Sequence, residues 1–222
     1  MRKIADRRHR AWMTKDPTAW DILALMRKTE EKTTIATCTK RGAGLVNELS
    51  VKVLFEDRKK ESLGCAPLDW DVNPVNYADG GELKKEQAPQ PTMIHLYQGM
   101  RIFLSKNMDK KNDFVNGMAA TIEHYDQVTR CIEVKTHTGK VLPVHLVTED
   151  VKGCGRVTYF PMRLGYASTV QRIQGMTLDH ITLWLDRAGC RAAAYVALSR
   201  VCYDTDYLIA GKIHPRCFVP AM

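Results

Sequence analysis

The spacing of hydrophobic and polar residues changes several times along the chain, and the changes divide it into segments. Asp16-Pro17 reads as an N-cap followed by proline at the first helical position. It predicts a helix to about Lys28, with Trp20, Leu23, Ala24 and Met26 on a partly apolar stripe. Thr33 to Cys38 is β-rich and predicts a strand, and Lys40 to Gly44 a short basic, glycine-bearing turn. A second helix follows with Leu45, Val46 and Leu49 on its buried face, then a strand over Val51 to Phe55. From Glu56 to Thr92 no period persists. Pro67, Pro74, Pro89, Pro91 and Gly80-Gly81 stand there among excess acidic residues, as in a long surface insertion.

From Met93 the period becomes two. Met93 to Tyr97 and Met100 to Leu104 predict strands around Gln98-Gly99, Val115 to Gly117 a turn, and Ala119 to Glu123 another strand. Arg130 to Lys135 and Lys140 to His145 flank a His137-Thr138-Gly139 hairpin turn. So many short strands in succession predict a small antiparallel barrel or meander. After Lys152 the pattern alternates strand and helix, the mark of an α/β arrangement. The chain is therefore expected to comprise a helix and the start of an α/β domain (1–55), an acidic insertion (56–92), a small β-barrel (93–150) and the rest of the α/β domain (151–222).

Composition narrows the class without choosing a function. With 222 residues, 45% hydrophobic and 26% charged, the chain is long enough to bury a core without crosslinks. No stretch approaches the roughly 20 apolar residues of a membrane span, and the basic start has no apolar region of a secretory signal. The cysteines, Cys38, Cys65, Cys131, Cys154, Cys190, Cys202 and Cys217, have no C-x-x-C spacing. They predict free thiols in a reducing, intracellular compartment, nuclear and mitochondrial settings both fitting, and no metal site. The net charge of +8 is uneven: +7 over residues 1–60, −3 over 61–125 and +4 over 126–222. Two basic ends suit a polyanion, and equally suit a merely soluble surface.

Two segments carry candidate chemistry. In Tyr159 to Leu178, a strand-like Pro161 to Leu164 leads to the small, polar Ala167-Ser168-Thr169, where a helix N-terminus would offer N–H groups and hydroxyls to a phosphate. Arg172 adds charge, and Gln174-Gly175 permits close backbone approach. An ordinary capped helix accounts for the same residues. In Ala193 to Val201, Ala193, Ala194, Ala197 and Leu198 make a closely packing helix that ends at Ser199-Arg200. Arg200 there is either a cation favoured by the helix dipole or a guanidinium aimed at a nucleotide γ-phosphate.

Together these segments resemble motifs V and VI of Pif/RecD-type superfamily 1 DNA helicases. Motif V of that family, roughly Ala-x-Thr-hydrophobic-His-Lys-Ser-Gln-Gly-x-Thr, stands here as Ala167-Ser168-Thr169-Val170-Gln171-Arg172-Ile173-Gln174-Gly175-Met176-Thr177. Motif VI, Tyr-Val-Ala-Leu-Ser-Arg, is complete from Tyr195 to Arg200. Gly99 to Asn107 and Val115 to Gly117 look like the family's Src-homology-3-type barrel insertion, and Thr39 to Asn47 has the spacing of the motif IV region. The resemblance covers about 33–211. It implies the second RecA-like domain of a helicase, a parallel sheet with flanking helices and an inserted antiparallel barrel.

For the site, the resemblance implies that Thr169, Gln171 and Arg172 face DNA phosphates, that Gln174 and Gly175 lie toward the ATP cleft, and that Arg200 is the arginine finger. Gln171-Arg172 replaces the family's His-Lys, so the cation is kept and the protonatable group lost; Ile173 replaces the Ser. Lys40 and Arg41 are either phosphate contacts or exposed loop charges. Gly139-Lys140 and Gly211-Lys212 lack the context of a phosphate loop, and no acidic Mg²⁺ motif is present.

The expectation is therefore the C-terminal motor half of an ATP-dependent DNA helicase, unable to hydrolyse ATP alone. ATP and Mg²⁺ would bind only together with an N-terminal motor domain, supplied in cis or in trans. The expected partner is single-stranded DNA, with RNA left open, and no membrane. The alternative is a non-enzymatic, helicase-derived module that binds single strands. A thiol or acid–base enzyme is a third class, but His124, His137, His145 and Cys154 have no spacing that favours a dyad.

Overall fold

The computed structural model describes residues 21, 24, 32–69, 91–151, 155–187, 190–211 and 213–219. Apart from the helical Asp21 and Ala24, the helix expected over 16–28 lies outside the described residues, as do 70–90 and Cys154. The chain forms two compact units, one of Met1–Val53 with Tyr166–Met222 and one of Leu54–Gly165. Val151 and residues 155–165, expected in the α/β part, thus belong with the antiparallel strands.

The first unit holds a parallel sheet in the order β11-β1-β12-β13, made of Ala167–Thr169, Thr33–Thr37, His180–Leu183 and Tyr207–Ile209. Its internal strand β1, sequence TTIAT, is buried at every position. That suits a strand covered on both faces. Thr33 and Thr182 satisfy each other there by a hydroxyl–hydroxyl bond of 2.7 Å.

Lys40–Phe55 is one continuous helix, so both the basic turn expected over 40–44 and the strand expected over 51–55 are helical. Its buried residues include Ala43, Val46, Asn47 and Ser50, while Leu45 is 46% exposed. The apolar count misplaced the face because two of its buried members are polar. The later alternation is also thinner than expected. No helix starts at Ala167-Ser168-Thr169; that segment is strand β11, and turns occupy 170–175. The one α-helix described after it is Ala193–Leu198, with a short 3-10 helix at Pro215–Phe218.

The second unit is antiparallel. A five-stranded sheet runs in the order β10-β4-β5-β6-β7, that is Met162–Leu164, Arg101–Leu104, Ala119–Asp126, Cys131–Thr136 and Val141–His145. The expected hairpin is there, with Gly139 at φ +86 donating to the Thr136 carbonyl (2.9 Å). Two ribbons accompany the sheet: β2 (Gly64–Leu68) with β3 (Thr92–Leu96), and β8 (Val147–Val151) with β9 (Gly155–Tyr159). Part of the stretch without periodicity is therefore ordered, because Gly64–Leu68 borrows its partner from residues beyond the insertion. At the β8–β9 ribbon, Lys106 and the Tyr159 hydroxyl bond Glu149 and hold its carboxyl below the ordinary carboxylate range.

Candidate functional site

Strand β11 delivers the first candidate segment to the end of the parallel sheet, paired with β1 through Ile35↔Ala167 to Thr37↔Thr169. Beyond it the chain folds into turns, the first of them closed on one acceptor. The Thr169 carbonyl receives the N–H groups of Arg172 (2.9 Å) and Ile173 (3.2 Å). Ile173 is fully buried and Val170 nearly so. Gln171, Gln174 and Gly175 are left exposed and Arg172 half-buried. Burial gives a physical reason for an apolar residue at 173: it anchors the turn that carries its polar neighbours. Gly175 has φ +87 and open space around it, so the backbone conformation, not crowding, requires glycine there. Thr169, expected at a phosphate, is only 3% exposed. It contributes a backbone carbonyl that shapes the turn.

Arg200 follows the helix Ala193–Leu198, whose Ala193, Ala194, Ala197 and Leu198 are buried as the sequence predicts. Its Nε donates to the Val196 carbonyl (3.2 Å) and its Nη2 to Ser199 Oγ (2.9 Å). Both acceptors are neutral. Among the described residues no carboxylate pairs with this guanidinium, so its charge is not neutralised by a neighbour. The two candidate segments meet through the backbone, where Leu178 N–H donates to the Arg200 carbonyl (2.8 Å).

A third feature was not visible in the sequence. Thr39 caps the Lys40–Phe55 helix, its Oγ1 accepting from Gly42 N–H (2.9 Å). Asp186, remote in sequence, accepts from the N–H groups of Cys38 (2.7 Å) and Thr39 (3.1 Å) and from the Thr39 hydroxyl. Its carboxylate therefore lies at the positive end of the helix, beside the exposed Lys40 and Arg41. A Cβ on Gly42 would come 2.1 Å from Asp186 Oδ2. Gly42→Ala should thus lower stability by about 1–2 kcal/mol, the scale of a lost cap, where a helical glycine-to-alanine change ordinarily stabilises. Urea unfolding measures this, and a stability gain would refute the Asp186 contact.

Two thiols, Cys38 and Cys131, are disfavoured as nucleophiles. Burial, then the bond to Cys190, pushes the Cys38 thiol far above its ordinary value, with Asp186 adding to the effect. Cys131, 3.9 Å from His145 Nε2, is raised chiefly by burial. No cluster of three or more His, Cys, Asp or Glu suited to a metal ion occurs among the described residues.

No family model matches the chain. It is 30% identical over 119 residues to the Xenopus laevis ATP-dependent DNA helicase PIF1, a match covering 51% of this chain and 19% of that protein. With the Campylobacter jejuni ATP-dependent DNA helicase Pif1 it shares 32% identity over 164 residues, covering 72% of this chain and 29% of the relative. The chain resembles the C-terminal part of a Pif1-type helicase. Its fold is similar to that of Bacteroides Pif1 bound to single-stranded DNA, with a TM-score of 0.61 at 18% identity over 86% of this chain and 43% of that one. The chain thus spans less than a third of the length of these two relatives, 19% and 29%.

Proposed function

We propose that this chain acts as the C-terminal motor half of an ATP-dependent DNA helicase, with its antiparallel unit corresponding to the inserted barrel. The observation that supports this most is the pairing of the two segments. Arg200 carries an unneutralised guanidinium at a helix end, and its carbonyl holds Leu178, which follows the Gln171–Gly175 turn. Within this reading Arg200 serves as the arginine finger toward a γ-phosphate, and Gln174 and Gly175 border the nucleotide cleft. Gln171 and Arg172 meet the DNA backbone, with Thr169 fixing their turn.

ATP with Mg²⁺ would supply the phosphoryl chemistry, and this chain's own groups fit one side of such a ligand. A partly exposed, charged guanidinium suits the terminal phosphate, and an open backbone at Gly175 permits close approach. The phosphate loop and the metal-holding carboxylates belong to an N-terminal motor half, in cis or in trans. Closing the two halves would exclude water and bring Arg200 to the charge that develops on the transferred group. DNA contact of this kind is led by phosphates and indifferent to sequence, and RNA is not distinguished by it.

The test is binding of the chain to a fluorescein-labelled oligo-dT, followed by anisotropy across a salt series. Affinity should fall steeply with salt, and Arg172→Ala should flatten the log–log slope by about 1. Salt-insensitive binding, or none at low ionic strength, would count against the DNA contact.

A further inference from the structure

Among the described residues strand β11 ends its sheet, with β1 on one side and no strand on the other. Ile35 N–H bonds the Tyr166 carbonyl and Val170 N–H the Thr37 carbonyl, both at 2.9 Å. The N–H and C=O of Ala167 therefore point outward, away from β1. A buried edge with an unpaired peptide would be costly.

Asn47, on the Lys40–Phe55 helix and only 3% exposed, closes that edge. Its Oδ1 accepts from the N–H groups of Ala167 (2.8 Å) and Tyr166 (3.1 Å), and its Nδ2 donates to the Ala167 carbonyl (3.0 Å). The carboxamide thus reproduces what a peptide unit of a neighbouring strand would offer, one acceptor and one donor to the same residue. The match requires both functions. Aspartate keeps the acceptor and loses the donor, and alanine loses both.

Two residues further on, the Thr169 carbonyl holds Arg172 and Ile173. We infer that Asn47 is a positioning residue for the Gln171–Gln174 turn, setting the place of β11 and through it the side chains that meet nucleic acid. This rests on the proposed DNA contact and extends it to a residue that touches no ligand itself.

The experiment compares the unsubstituted chain, Asn47→Asp and Val46→Ala, whose neighbouring apolar side chain is also fully buried. Oligo-dT affinity and amide hydrogen exchange are read at a temperature where circular dichroism finds each variant folded. Asn47→Asp sets a carboxylate oxygen against the Ala167 carbonyl, which drives the side chain off the edge; exchange at Ala167 should then be about tenfold faster or more, with faster exchange at Arg172 and Ile173, and binding about fivefold weaker or worse. Val46→Ala should leave both readouts near those of the unsubstituted chain. Equal losses in the two variants, or unchanged affinity in a folded Asn47→Asp, would overturn the positioning role. If the unsubstituted chain binds no DNA, the DNA reading fails by itself and the exchange data decide. Faster exchange at 167, 172 and 173 confined to Asn47→Asp then upholds the positioning of the turn, and unchanged exchange overturns it.

Discussion

Arg200→Ala, in a chain joined to or mixed with an N-terminal motor half, is expected to cut ATP turnover by about a thousandfold or more. A guanidinium at the transferred phosphoryl group opposes charge that grows only as the reaction proceeds, so its loss falls on kcat. Arg200 is available for that task at little cost. Among the described residues it is held by the Val196 carbonyl and the Ser199 hydroxyl, two neutral acceptors. Arg200→Lys should recover only part of the rate, because a lysine ammonium lacks the planar fork that meets two oxygens at once. Oligo-dT affinity should change by less than about twofold, since the expected DNA contacts lie at 171 and 172 and not at 200. Steady-state ATPase assays beside anisotropy titrations separate the two effects. ATPase retained in Arg200→Ala would remove the finger assignment and favour a helicase-derived, non-enzymatic binding module.

Much of the arrangement was legible where local chemistry and local structure coincide. The β6–β7 hairpin could be read from alternation around His137-Thr138-Gly139 because both strands and the turn lie within fifteen residues. The buried face of the helix leading to Arg200 followed from four small or apolar residues at helical spacing. What failed depended on partners remote in sequence. Ala167–Thr169 looked like a helix start because small polar residues favour caps, yet pairing with β1 makes it a strand. Lys40–Gly44 looked like a turn because of its glycines. One of them, Gly42, is required by the carboxylate of Asp186, a residue no local pattern could bring there. Asn47 shows the limit most plainly. Among helical positions a polar residue is ordinarily assigned to the surface, and its burial is explained by the bonds it makes to Tyr166 and Ala167 on the edge of β11.

Phe160→Ala should remove about 3–5 kcal/mol from the antiparallel unit, the largest stability loss expected of a single substitution there. Phe160 is fully buried, and its ring meets Tyr125 edge-on, centroids 5.9 Å apart at 90°. Its backbone lies where three strand systems join. Phe160 N–H donates to the Pro67 carbonyl (2.8 Å), and the Phe160 carbonyl accepts from Asp69 N–H (3.2 Å), so the β2 strand is tied to the segment between β9 and β10. The ring is fully buried against Tyr125, and alanine would leave a cavity there. Phe160→Leu, which keeps most of the volume, should lose less than half as much, and Tyr125→Phe, which keeps the ring pair, should lose little. Calorimetry of the four proteins provides the comparison. For a unit of about this size each kcal/mol moves the midpoint by roughly 4–8 °C, so Phe160→Ala is expected more than about 10 °C below the unsubstituted chain. A shift of only a few degrees would mean that the joint is held by its backbone bonds and that the ring is dispensable.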